Sequence, residues 1–415
     1  MFLTVAPASA SRNSPALRRD PAWASLWRRI RTPAAHAPAF PGPAMRPAVI
    51  SVAVGFAVCS SAAVSEPEPT SDAQRWLAPV GVPEFRPPAT WDAWTARRSA
   101  IRATLWGLLG DFPARPAVPD VTVVSRTDHD GYVLEKFTFP NGLGSTVPGY
   151  LFLPRNAAGK VPAILYCHWH AGQYAVGKEE MLGTNATPVP PGPTLARLGF
   201  AVLGIDACCF GERNGQGPGG PGEKGADGEM TASKFSLWAG RTLWGTMVRD
   251  DLMALDYLCS RPEVDRARIG ATGISLGSTR SWWLAALDDR IRTAVCVACM
   301  TRYQNLILTQ EMKAHGIYYF VPGMLRHFDT EAVIACAAPR PMLFMTGDRD
   351  AGSPVSGIRA IEAGVAPVYR LGGADGAFVS IVYPDTGHVY LPEMWARMVA
   401  WMQSRLMGTG GEPAR

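Results

Sequence analysis

The sequence predicts an α/β fold: a doubly wound, mostly parallel sheet with antiparallel strands at its N-terminal edge and a helical cap or insertion. Three observations carry this. Continuous apolar runs at 163–167, 201–205, 269–272, 293–299, 341–346 and 379–383 suit strands buried on both faces. Helical segments separate them, around 192–198, 231–260, 277–288, 329–337, 355–365 and 392–406. Upstream, 121–125, 132–139 and 149–153 alternate apolar and polar residues between Gly, Pro and Asn turns, as antiparallel strands do. Strand–helix alternation after an antiparallel start is the pattern of an open, helix-covered sheet.

In chain order, residues 1–65 read as a tail followed by an export signal. Met45-Arg46 gives a short basic start, 47–58 carries no charge, and Ala63-Val64-Ser65 has small-x-small cleavage spacing. Met45 is the expected true start, and the product is expected to be exported, periplasmic or secreted. The apolar run is too short to span a membrane, and Cys59, preceded by bulky Val58, makes a poor lipoprotein anchor. Residues 66–90, Pro-rich and polar, read as a linker. The segment WDAWTARRSAIRATLWGLL, 91–109, places Trp94, Ile101, Leu105 and Leu108 at helical spacing. One catalytic domain is expected over 91–406, with a disordered tail at 407–415. Two stretches break the alternation: a Gly-rich loop at 206–230 and an apolar, aromatic-rich insertion at 300–328. Both follow strand C-termini, where open α/β sheets bind ligands.

Composition narrows the function. The chain is 47% hydrophobic and 18% charged, enough apolar material for one large core, and shows no repeat. Its formal +5 is concentrated: residues 1–64 hold seven arginines against Asp20, a net +6 that leaves −1 for the rest. A near-neutral body offers nucleic acid no footprint. The eight cysteines sit mostly in apolar stretches and do not read as a disulfide framework. Cys296 and Cys299 have CxxC spacing, but in a strand they point to opposite faces.

The chemistry begins at IGATGISLG. A strand runs into Gly273-Ile274-Ser275-Leu276-Gly277 and a helix follows at once, the context a nucleophile elbow requires. A structural turn is the bland alternative for such a motif. Downstream, PMLFMTGDRDAGSP ends a buried strand before Asp348 and Asp350, of which Asp350 is the preferred triad acid and Asp348 the alternative. VYPDTGHVYLPEMW then places His388 between a strand and the last helix. Ser275, Asp350 and His388 form a catalytic triad in this reading, in the chain order of α/β-hydrolases. The oxyanion hole needs two N–H donors. Leu276, directly after the nucleophile, supplies one; the other comes from the loop after 163–167, with His170 favoured and Trp169 the alternative. His168 and His170 alone, without an acidic partner, are thin support for a metal, so neither metal nor cofactor is expected.

GISLG, TGDRD and TGHVY in this order resemble α/β-hydrolases of the dienelactone-hydrolase and acetyl-xylan-esterase type, over about residues 120–406. CHWHAGQYAVGKEE and DACCFGER resemble loops of those esterases. The resemblance implies the α/β-hydrolase fold and hydrolysis of short acyl esters on a small-molecule or carbohydrate substrate, including acetylated polysaccharide. His168-Trp169 stands where His-Gly is usual, and serine replaces the cysteine nucleophile of dienelactone hydrolases proper. By analogy Asp206 and Arg213 form an ion pair beneath the site. Two other classes compete: a serine peptidase or amidase of prolyl-oligopeptidase-like type, and a binding protein with a dead site. Tyr303, Tyr318, Tyr319, Phe320 and Phe328 are expected to pack the insertion on the sheet more than to line a pocket, with His315 and His327 as bystanders. Oligomeric state is not readable from the sequence.

Overall fold

The computed structural model describes residues 71–155 and 157–408. The export segment, Met45, Cys59 and the last seven residues lie outside them.

Among the described residues nine strands form one sheet in the order β1-β2-β3-β5-β4-β6-β7-β8-β9. β1 (Thr122–His129), β2 (Tyr132–Pro140) and β3 (Thr146–Pro154) pair antiparallel, and β3 meets β5 (Ala201–Ile205) the same way. From β5 onward β4 (Val161–Cys167), β6 (Val264–Ile274), β7 (Ile291–Val297), β8 (Met342–Gly347) and β9 (Phe378–Tyr383) run parallel. Burial follows the sequence pattern. Every residue of β5 and β8 is buried, whereas every residue of the edge strand β1 is exposed. Five of the six continuous apolar runs became central strands because helices cover both their faces; the sixth, 379–383, is instead the edge strand β9 and is half-buried throughout.

Among the described residues ten α-helices accompany the sheet: α1 (Ser71–Leu77), α2 (Trp91–Leu109), α3 (Pro191–Arg197), α4 (Gly225–Trp238), α5 (Leu243–Ser260), α6 (Leu276–Leu287), α7 (Tyr303–Leu308), α8 (Thr330–Ala335), α9 (Val355–Leu371) and α10 (Pro392–Met402). One face of the sheet packs Trp94 of α2, Trp244 of α5 and Trp282 and Trp283 of α6. The other packs Leu195 of α3 and Met394, Met398 and Met402 of α10. Each fully buried Leu, Ile, Phe or Met contributes about 1.5–3 kcal/mol, so this two-sided core fixes which strand ends share the upper rim.

Several boundaries differ from the sequence reading. α1 lies inside the expected linker. In α2 the buried stripe is Trp94, Ile101, Leu105 and Leu109, one residue beyond the expected Leu108. The expected loop at 206–230 ends early, because α4 begins at Gly225. Its buried face is Gly228, Glu229, Ala232, Ser233 and Ser236, small and polar residues that give no apolar period to detect. The expected helix 231–260 is two helices, since Thr242 accepts the Gly245 N–H at 2.9 Å and caps a new start. α9 continues past Pro367 to Leu371 because Val365, Val368 and Tyr369 keep its inner face buried.

Candidate active site

The rim where the parallel strands end gathers four loops and one turn. Ser275 forms the turn between β6 and α6 with φ 60° and ψ −120°, a conformation a non-glycine residue rarely holds. Two backbone bonds fix it: Ser275 N–H to the Val297 carbonyl at 3.0 Å, and Thr279 N–H to the Ser275 carbonyl at 3.0 Å. The flanking glycines are required by close approach. A Cβ at Gly273 or Gly277 would run into the carbonyl oxygen of Cys167 in β4. Leu276 opens α6, so its N–H has no acceptor within the helix and lies at the positive end of the dipole.

After β8, Asp350 is buried, and its carboxylate accepts the Gly352 N–H at 3.0 Å. Its other oxygen, Oδ2, lies 2.8 Å from Nδ1 of His388 on the loop after β9. Burial opposes the charged imidazole, but the hydrogen bond and charge of Asp350 outweigh it and hold His388 above the ordinary histidine value. Nδ1 is thereby committed to Asp350, and Nε2 is the nitrogen left for other work. Asp348 does something different: it accepts the Thr386 N–H at 3.1 Å and ties the two loops together. Those loops touch so closely that a Cβ at Gly347 would collide with the Thr386 carbonyl.

The insertion at 300–328 reaches the same rim. Tyr318, Tyr319 and Phe328 are buried, and Phe320 is exposed. His315 stacks on Tyr319 with ring centroids 4.0 Å apart and gives its Nε2 hydrogen to the Gly352 carbonyl at 2.9 Å. Thr301 donates to the same carbonyl at 2.6 Å. His315 is therefore a strut of the Asp350 loop rather than a bystander; burial keeps its pKa below the usual value. His327 is exposed. Outside Tyr319, the insertion leaves an apolar cavity of about 270 Å³ walled by Tyr303, Leu306, Met312 and Phe320 among others.

The loop after β4 is wired by buried ions. His168 accepts the Ala207 N–H at Nε2 (3.0 Å), which leaves Nδ1 to donate to the Trp169 carbonyl (2.7 Å). Burial, helped by the nearby Arg280 charge, pushes its pKa well down, so it stays neutral. Trp169, the alternative oxyanion donor, gives its N–H to Glu180 Oε2 at 2.8 Å and does not offer it to the site. Glu180 also accepts the Tyr166 hydroxyl at 2.6 Å. Burial pushes this carboxyl up to about 7 against the opposing pull of those two donors. The His170 ring accepts the Gly172 N–H at Nδ1 (3.0 Å) and meets Glu229 through Nε2 (3.2 Å). The lone pairs of both histidines are thus given to backbone N–H groups rather than turned outward as a metal requires.

The pairing of Asp206 with Arg213 is corrected. Asp206 Oδ2 takes Lys178 Nζ at 3.0 Å and Oδ1 accepts the Lys178 N–H at 2.7 Å. Arg213 instead binds Asp250 at 2.8 Å and meets Asp206 only at its backbone carbonyl, 3.1 Å away. Helix α5 supplies Asp250 and also Asp251, which holds Arg280 of α6 at 2.8 Å beneath the nucleophile turn. None of these partners was singled out from sequence. Glu180, Glu229, Asp250 and Asp251 lie in polar or helical runs where an acid looks solvated. The described cysteines are all free thiols, and Cys299 lies just past the end of β7.

Similarity to known proteins agrees with this architecture. The model of the Abhydrolase family matches residues 78–360. YtaP of Bacillus subtilis (strain 168), whose name provisionally calls it a hydrolase, is 34% identical over 293 residues, covering 70% of this chain and 94% of that protein. A Bacteroides fragilis NCTC 9343 protein, provisionally named an acetyl xylan esterase, superposes with TM-score 0.60 at 19% identity, covering 75% of this chain and 82% of the other. A glucuronoyl esterase from Solibacter usitatus does so with TM-score 0.58 at 16% identity, covering 79% and 99%. At such identities the superpositions speak to the fold, the α/β-hydrolase fold. Among the described residues no helix is long and apolar enough to cross a membrane.

Proposed function

Since the chain belongs to the Abhydrolase family, we propose that it is a serine carboxylic-ester hydrolase acting through an acyl-enzyme on short acyl esters. Ser275 is the nucleophile, His388 the general base and Asp350 the residue that orients it. The observation that carries this reading is the 2.8 Å contact between Asp350 Oδ2 and His388 Nδ1, at the rim where Ser275 stands in its strained turn.

In this mechanism His388 Nε2 takes the Ser275 proton as the hydroxyl oxygen attacks the ester carbonyl. Asp350 keeps the proton on Nδ1 and stabilises the imidazolium. The N–H groups of Leu276 and His170 receive the oxyanion. The alcohol leaves with the proton from His388, and water, deprotonated by the same ring, releases the acid. The esterase names among the structural neighbours suggest acetylated or uronic-acid carbohydrate as one substrate class. Export rests on residues 1–65 alone.

The test is hydrolysis of p-nitrophenyl acetate by the wild type and by Ser275→Ala. The proposal expects turnover by the first and a loss of roughly 10⁴-fold or more in the second, with folding retained. Equal activity in both removes Ser275 from the mechanism. Inactivity towards esters together with cleavage of a peptide anilide makes the protein an amidase.

A further inference from the structure

Glu229 lies in α4, far from the triad loops in sequence, and is 2% exposed. Its carboxylate accepts the Tyr174 hydroxyl at 3.1 Å and faces His170 Nε2 at 3.2 Å. The His170 ring has a second engagement that limits its chemistry. Nδ1 lies 3.0 Å from the Gly172 nitrogen, whose N–H is a donor, so Nδ1 must carry the lone pair. A neutral ring then carries its proton on Nε2 and needs an acceptor there, which is Glu229. The backbone it braces is not relaxed, because Ala171, which is not a glycine, has φ 42°. Ring packing closes the arrangement, with Tyr318 of the insertion stacked 5.1 Å from His170 and Phe210 edge-on at 5.0 Å.

We propose that Glu229 is a positioning residue that sets the His170 tautomer and thereby the 170–172 turn that aims the His170 N–H at the oxyanion. The molecule then contains two carboxylate–imidazole pairs with separate tasks. Asp350 fixes a ring that moves protons, and Glu229 fixes a ring that only folds backbone. Without Glu229 the Nδ1–H tautomer becomes accessible, the Gly172 N–H loses its acceptor, and the turn relaxes away from the site. This inference rests on the oxyanion role given to His170 above.

The experiment compares Glu229→Ala, Glu229→Gln and His170→Ala for p-nitrophenyl acetate turnover, together with the tautomer of His170 read by ¹⁵N NMR of histidine-labelled protein. Loss of one oxyanion donor costs about 10²–10³ in kcat, so misplacing it is expected to cost Glu229→Ala about 10–100-fold in kcat with KM little changed. Glu229→Gln, whose amide oxygen still accepts from Nε2, recovers most of that loss. His170→Ala keeps the backbone N–H but loses the brace; it falls as far as Glu229→Ala, and the double variant falls no further. The wild-type spectrum shows His170 as the Nε2–H form. A Glu229→Ala kcat within threefold of wild type overturns the proposal, as does equal loss in Glu229→Gln or an Nδ1–H ring in the wild type. If the wild type hydrolyses no ester, the esterase reading fails by itself, and the NMR spectrum still decides the tautomer claim.

Discussion

The loops after β8 and β9 bring Asp350 and His388 to the protein's edge, where the His388 side chain is 37% exposed. The loop after β4, with Trp169 and His170, is instead held from beneath by carboxylates that are themselves buried. On the first side one buried acid touches one base, and the loops are held by single bonds: Asp348 to the Thr386 N–H, Arg349 to Asp385, and His315 and Thr301 to the Gly352 carbonyl. On the second, Glu180 holds the Trp169 N–H, Glu229 holds the His170 ring, and Lys178, two residues before Glu180, pairs with buried Asp206. Proton transfer needs a ring open to substrate and water. An oxyanion donor needs only to stay still, and buried charge networks are a means of holding backbone still.

The largest effect should fall on the exposed side. Asp350→Asn is expected to lower kcat by roughly 10³–10⁴-fold, as loss of the correct imidazole tautomer does. Asp350 raises the His388 pKa, so its removal also moves the acid limb of the kcat/KM profile to lower pH. A profile unmoved by the substitution would separate Asp350 from the titrating base. Next comes Lys178→Met, which strands Asp206 in the interior and should cost about 3–5 kcal/mol of stability by denaturant unfolding. A cost below 1 kcal/mol, in a protein whose Asp206 is fully buried, would break the contrast between the two sides.

Glu180 sharpens the comparison through pH. Its carboxyl sits at about 7 in the folded chain against an ordinary 4.5. Between those values the folded protein keeps a proton that the unfolded chain has released, so stability falls as pH rises through that window. Glu180→Gln loses one of the two accepted hydrogen bonds at every pH but never carries the buried charge. The stability gap favouring the wild type should therefore narrow between about pH 5 and pH 8, as followed by Tm. A gap that widens means the carboxylate is stabilised as an anion. The smallest effect is expected from Asp348→Asn, whose partner is a backbone N–H of the His388 loop. Its activity should stay within about tenfold of wild type, since one such bond contributes about 1 kcal/mol.

The same division explains what the sequence could disclose. Ser275, Asp350 and His388 sit at strand ends in motifs whose spacing is dictated by local geometry: glycines at 273 and 277 for close approach, and short loops after β8 and β9. Central strands were legible because burial on both faces leaves no polar residue to interrupt the run. The anchors were not legible because each is defined by a partner far along the chain: Glu229 by His170, Asp250 by Arg213, Asp251 by Arg280. The start of α4 and the break between α4 and α5 were missed for a related reason, since a helix that buries glycine, alanine, serine and a glutamate carries no apolar stripe. Asp206 and Arg213 were placed in the right neighbourhood but given the wrong partners, because a sequence shows which charges are near and not which way a carboxylate turns.

The central claim is that the Ser275 hydroxyl is the nucleophile, and covalent capture tests it most directly. The protein is treated with a fluorophosphonate, digested and sequenced by mass spectrometry, with activity followed in parallel. The account predicts one adduct, on Ser275, forming at the rate at which ester hydrolysis is lost, and far slower labelling in Asp350→Asn. An adduct on another residue, or full ester hydrolysis by a protein labelled at Ser275, would contradict it.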